Sequence, residues 1–232
     1  MIRALLLVLA LALLPGAGPA WARTAEGDRV RVLYQAAKAP EAQAIYREMR
    51  ERRLLEGLRE TLSVIRLPRP LTLRLSECDG EVNAWYAPET RTVTVCYEFI
   101  QDVQNRAPKD TSPAGVTRHQ AVMGPVAQVF LHETSHALFH LLDVPILGRE
   151  EDAADQLAAL ILLRLKPAQA RQIINGSAFL FASYGAEEKP EKADLADDHG
   201  LFQQRLYNLL CLAYGSDERA FGYLVDRGDL PK

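Results

Sequence analysis

The chain has 232 residues, 48% of them hydrophobic, with 27 basic against 30 acidic side chains and a formal charge of -3. That is enough apolar material for the core of one domain, and no basic stripe supports a nucleic-acid interface. Arg47, Arg50, Arg52 and Arg53 do cluster, but Glu48, Glu51 and Glu56 are interleaved with them, the pattern of a solvated helix face.

Residues 1–22 carry one positive charge at Arg3, an apolar run over residues 4–14, a break at Pro15-Gly16, and Ala20-Trp21-Ala22 before Arg23. These are the marks of a secretory signal peptide, too short for a membrane span; an uncleaved anchor is the alternative. Residues 23–232 are then expected to be one exported domain, periplasmic or extracellular and monomeric. No stable membrane insertion is expected after cleavage.

Residues 29–34 alternate as a first strand, and residues 40–66 read as helix, with Leu54, Leu58, Leu62 and Ile65 on one stripe and Pro68 and Pro70 ending it. Strands follow at 71–75, 82–86 and 92–97, the last two joined by the turn at 87–91, which together suggest a small, mostly antiparallel sheet. Cys78 and Cys96 flank this hairpin, and in an oxidising compartment they are expected to form a disulfide. Cys211, in Leu209-Leu210-Cys211-Leu212-Ala213, reads as an inert buried thiol.

Residues 102–112 read as a loop, with a helix start at Ser112-Pro113. Gly124-Pro125 either kinks one long helix or separates two. The helical half continues over 153–165, over 167–184 with a possible break at Asn175-Gly176, and over 200–214. The expected fold class is therefore α+β, a small sheet followed by a mainly helical C-terminal half.

The chemistry concentrates in Phe130-Leu131-His132-Glu133-Thr134-Ser135-His136-Ala137-Leu138. Helical spacing puts His132 and His136 on one face, able to offer two imidazoles to one cation with Glu133 beside it. The flanks are almost wholly apolar, so these groups are buried and need a partner, since burying them unpaired costs several kcal/mol. One Zn2+ per chain is the expected cofactor. Catalytic zinc takes three protein ligands and leaves a fourth position for water. Pro145 and Gly148 turn the chain back, and Glu151 and Asp155, four apart, share a face: Glu151 is the expected third ligand and Asp155 the group that holds a ligating histidine by its other nitrogen. Glu150 is the fallback ligand. His140 is too far along the helix to join the same ion and is expected to support or pack; His119, among polar neighbours, is expected at the surface.

The pattern His132-Glu133-x-x-His136 with Glu151-x-x-x-Asp155 resembles the gluzincin group of zinc metallopeptidases. More closely, the chain resembles a family of secreted bacterial proteins known only as metallopeptidases of unknown function. Cys78-Asp79-Gly80-Glu81-Val82-Asn83-Ala84-Trp85-Tyr86, Cys96-Tyr97-Glu98, Leu147-Gly148-Arg149-Glu150-Glu151-Asp152-Ala153-Ala154-Asp155 and Gln204-Arg205-Leu206-Tyr207-Asn208 carry the likeness. It implies a zincin-like fold, with the strand at 82–86 as the edge that binds an extended peptide. Asn83, Trp85 and Tyr86 would then lie near substrate, with sheet packing the alternative for Trp85 and Tyr86. It also implies a late residue that stabilises the oxyanion: His199, oriented by Asp197 or Asp198, or in its place Tyr207.

The expected activity is endopeptidase hydrolysis of a peptide or protein, with Glu133 as general base. A non-catalytic zincin-fold binding module and a zinc amidase acting on cell-wall material are the alternatives.

Overall fold

The structure, a computed structural model, describes residues 29–231; the signal peptide expected at 1–22 lies outside the described residues. Strand β1 (Val30–Tyr34) pairs in parallel with β2 (Leu71–Ser76), and the crossover between them is α1 (Pro40–Glu51) and α2 (Leu54–Leu62). β2 pairs in parallel with β4 (Thr92–Cys96), and β3 (Ala84–Ala87) lies antiparallel to β4 at the outer edge. The order is β1-β2-β4-β3.

The sheet is thus mixed, not mostly antiparallel. The hairpin β3–β4 is local and was visible as two alternating runs around a turn. The parallel pairings join strands distant in sequence, which alternation along the chain cannot specify. Leu71, Leu73 and Leu75 are fully buried on β2, as are Val93 and Val95 on β4, so the two inner strands carry the sheet's core face.

The helical stretch at 40–66 is two helices, because Arg53 adopts a left-handed conformation with φ 53° between them. The Tyr34 hydroxyl compensates at the new helix start: it accepts from the Leu55 amide at 2.9 Å and donates to Glu56 at 2.8 Å. The expected loop after residue 102 begins later, since α3 (Tyr97–Arg106) runs on through the Asp102–Arg106 ion pair, 2.9 Å long and four residues apart. The next helix, α4 (Arg118–Leu142), starts at Arg118 rather than at Pro113. Thr117 and Gln120 form a capping box there.

Gly124-Pro125 neither ends α4 nor splits it, and Asn175-Gly176 does not break α6 (Pro167–Glu187). A Cβ built on Gly176 would stand 1.9 Å from the Gln120 carbonyl oxygen, and one on Gly124 2.7 Å from that of Ile173. These glycines let two helix backbones touch, a packing role inside helices that sequence reading takes for punctuation. α5 (Glu150–Leu162) and α7 (Phe202–Ser216) complete the bundle, followed by the short α8 (Glu218–Phe221) and α9 (Tyr223–Asp226).

Phe130 and Leu131 on α4 are buried in one core cluster with Leu73, Leu75, Val93 and Val95 of the sheet. Cys78 and Cys96 are disulfide-bonded. Cys211 is exposed, contrary to the expectation of a buried thiol: Leu209, Leu210 and Ala213 take the inward face of α7, and the helical rotation turns Cys211 outward. No helix among the described residues is long and apolar enough to cross a membrane.

Candidate active site

A cleft of about 710 Å³ lies between the edge strand β3 and the helices α4, α5, α6 and α7. On α4, His132 and Glu133 are buried and His136 is nearly so, because the helix is wedged between the sheet and its helical neighbours. The turn after Leu142 uses Asp143 in the left-handed region at φ 53°, and α5 returns so that its first residues face the histidines.

One ligand atom each from His132, His136 and Glu151 lies within 4.8 Å of the others. His132 Nε2 is 2.9 Å from Glu151 Oε2, His136 Nε2 is 3.4 Å from the same oxygen, and the two Nε2 atoms are 3.4 Å apart. The second ring nitrogens are both engaged. His132 Nδ1 donates to Asp155 Oδ1 at 2.8 Å, and His136 Nδ1 donates to Glu150 Oε1 at 2.8 Å. With each Nδ1 proton so held, the tautomer that presents Nε2 to a cation is favoured. Two imidazole nitrogens and one carboxylate oxygen, converging with oriented rings, are a donor set that fits Zn2+.

Without an ion the same groups neutralise one another. Burial works against the His132 imidazolium, but the carboxylates of Asp155 and Glu151 outweigh it and lift His132 to about 9. His136 is raised as well, burial being overcome by Glu151 and Glu150. Burial pushes Asp155 and Glu151 up, yet their bonds to histidine, and for Asp155 to Arg205, hold both well below the usual carboxylate range. Glu133 is the exception: burial raises it, and its nearest ion-pair contact is His132 Nε2 at 4.0 Å. A carboxylate whose pKa is raised toward neutrality and which faces a cleft is suited to accept a proton.

His199 stands across from these groups, its Nε2 2.8 Å from Glu151 Oε2 and its ring stacked on His132 at 6.0 Å. Asp197 is its neighbour, Oδ1 accepting from the His199 amide at 2.8 Å and lying 3.5 Å from Nδ1. Arg149 donates to the carbonyls of Asp197 and His199, which ties this loop to the start of α5. Tyr207 is 45% exposed on α7 and is not among the residues lining the cleft. His140 does not reach the donor group; it is exposed and bonds Tyr86. His119 is exposed.

Two contributors were not foreseen. Glu150, weighed only as a fallback ligand, is the partner of His136. Arg205 on α7 donates to Asp155 Oδ2 at 2.7 Å and Oδ1 at 2.9 Å, with its guanidinium over the rings of Phe181 and Phe202 at 5.0 and 5.6 Å. The signal for Arg205 was charge balance: two carboxylates on an inward face of α5 call for a cation, and Arg205, the one basic residue of α7, supplies it. The remaining walls are mixed. Phe99, Pro125, Val129, Leu180 and Phe202 make an apolar side, and Asn83, Trp85 and Tyr86 of the strand side also line the cleft.

No curated protein and no solved structure matches the chain. The profile of one family does match, over residues 34–232, which takes in β2, β3 and β4, the last residue of β1, the groups around the donor set and the whole helical half. The chain therefore belongs to the family described as "Putative metallopeptidase".

Proposed function

We propose that the protein is an exported zinc endopeptidase. The observation that carries this reading is the convergence of His132, His136 and Glu151 within 4.8 Å, with Glu133 beside them in the same cleft. A purely structural metal needs no such unbonded carboxylate, and membership of a metallopeptidase family supports hydrolysis as the use of the site.

His132, His136 and Glu151 would hold the ion. When bound, Zn2+ supplies Lewis acidity, polarising a carbonyl and making water acidic near neutral pH. The chain's own residues do the rest. Glu133 takes the proton from the attacking water and passes it to the departing amine. His199, carried by the loop that Arg149 and Asp197 hold, donates to the developing oxyanion. Asp155 and Glu150 keep the ligating rings in register.

Substrate enters against β3, whose outer edge pairs with no strand among the described residues and can add an extended peptide by main-chain hydrogen bonds. The apolar side of the cleft, with Phe99, Val129, Leu180 and Phe202, suits a large apolar side chain next to the scissile bond. Export accords with the leader-like residues 1–22 and with the disulfide Cys78–Cys96.

The test is metal content of protein purified without chelator, wild type beside Glu151→Ala. One zinc per wild-type chain, lost in the variant, is the expected result. A wild type that stays empty after zinc is supplied would overturn the reading.

A further inference from the structure

The strand side of the cleft contains a contact that the proposed chemistry does not use. β3 pairs with β4 through Ala84–Ala87, the Asn83 carbonyl just before it accepts from the Cys96 amide at 3.1 Å, and its other edge pairs with no strand among the described residues. The loop before it and the turn after it are largely exposed. Ala84 and Tyr86 face inward onto the core, while Trp85 points to the opposite face and is 37% exposed. Tyr86 reaches the C-terminal part of α4, where its hydroxyl and His140 Nδ1 share a hydrogen bond of 2.8 Å with ring centroids 5.9 Å apart. His140 lies one turn beyond His136 on the same face, outside the metal-donor group.

We propose that Tyr86 and His140 form a strut that sets the spacing between β3 and α4, and through it how tightly an extended substrate backbone is held in the cleft. Both are positioning residues, and the proposal rests on β3 being the substrate strand. The covalent tether at Cys78 lies upstream and restrains the entry to the strand, not the part of it over the cleft. Of the four residues of β3, only Tyr86 has a polar atom directed at α4. The inward contact of Ala84 is apolar packing, which tolerates sliding; a hydrogen bond is directional and fixes separation. Because the strut acts on a wall that holds substrate before and during reaction alike, its loss weakens binding in both states and leaves the chemical step alone.

The experiment uses the full mature chain with Tyr86→Phe, His140→Ala and the double variant. With an unstructured peptide as substrate, each single change is expected to raise KM about five-fold, the order of one lost hydrogen bond, with kcat and zinc content unchanged. The double variant should be no worse than the worse single one, because both remove the same bond. Amide hydrogen exchange of Ala84–Ala87 should quicken by a similar factor in both single variants. Additive effects in the double variant, a fall in kcat at constant KM, or exchange that responds to neither change would overturn the strut. If the wild type cleaves no peptide, it is the peptidase reading that fails, and the exchange measurement still decides the strut: matched acceleration supports it, unchanged exchange overturns it.

Discussion

The cleft has two walls held in opposite ways. In the helical wall most charges are fixed by short bonds: Asp155 accepts from His132 and twice from Arg205, Glu150 accepts from His136, and Glu151 lies among three imidazoles, while Glu133 has only the 4.0 Å contact with His132. The strand wall is four residues at the edge of a sheet, paired with β4 along one side, closed upstream by a disulfide, and bonded to α4 through the exposed contact of Tyr86 with His140. Rigidity sits at the converging donor atoms, and an open backbone edge is left on the side proposed to receive an extended peptide.

The most severe way to break the helical wall is at Glu133, the proposed base. Glu133→Gln is expected to cut kcat/KM by about 10²–10⁴-fold with zinc retained, read by peptide hydrolysis beside metal analysis. Wild-type rates in that variant would remove Glu133 as the base. Next in size is Arg205→Leu, which leaves the Asp155 charge buried without its guanidinium. Chemical denaturation of the metal-free protein should show a loss of about 3–5 kcal/mol, and no loss would mean that the charge balance of this wall lies elsewhere.

A pH titration sharpens the comparison, because the ion-paired groups His132 and Asp155 lie in the helical wall. In metal-free protein His132 titrates near 9, above its ordinary 6.5. Its contribution, on the order of 3 kcal/mol, is fully present below about 6.5 and is lost as pH rises through about 9. Asp155, depressed, contributes above the ordinary carboxylate range and loses that contribution as pH falls. Metal-free protein should therefore be most stable in mildly acid solution and weaken toward pH 9, measured by denaturant midpoints across that range. With zinc bound His132 must be neutral, so the alkaline loss should disappear. A metal-free midpoint that is flat between pH 6 and 9 would contradict the ion pairing assigned to His132.

The smallest effect on the site comes from the strand wall. Replacing Cys78 and Cys96 with serine should lower stability by about 3 kcal/mol, the order for a loop of this length, while zinc content stays at the wild-type value. Loss of zinc would show that the two walls are not independent.

Much of the helical wall was legible because its information is local. His132, Glu133 and His136 follow one another at helical spacing, and Glu151 and Asp155 repeat that spacing after a turn marked by Pro145 and Gly148. Glu150 was harder: adjacent to Glu151, it points to a different ring for reasons that depend on how α5 lies against α4, and no spacing within α5 reveals that. Arg205 was harder again, since the partner that explains it is 50 residues away.

Spacing along the chain was thus sufficient for the β3–β4 hairpin with its disulfide, for most of the helices and for the three residues whose ligand atoms converge, because helical and strand periodicities dictate which side chains share a face; it did not reveal α3 or the break at Arg53. The sheet order, the two glycines that let α4 and α6 touch, the outward turn of Cys211, the pairing of Glu150 with His136, and the bond from Tyr86 to His140 were decided only by tertiary packing. Each depends on which face of one element meets which face of another, a relation between distant segments that neither residue types nor their spacing contain.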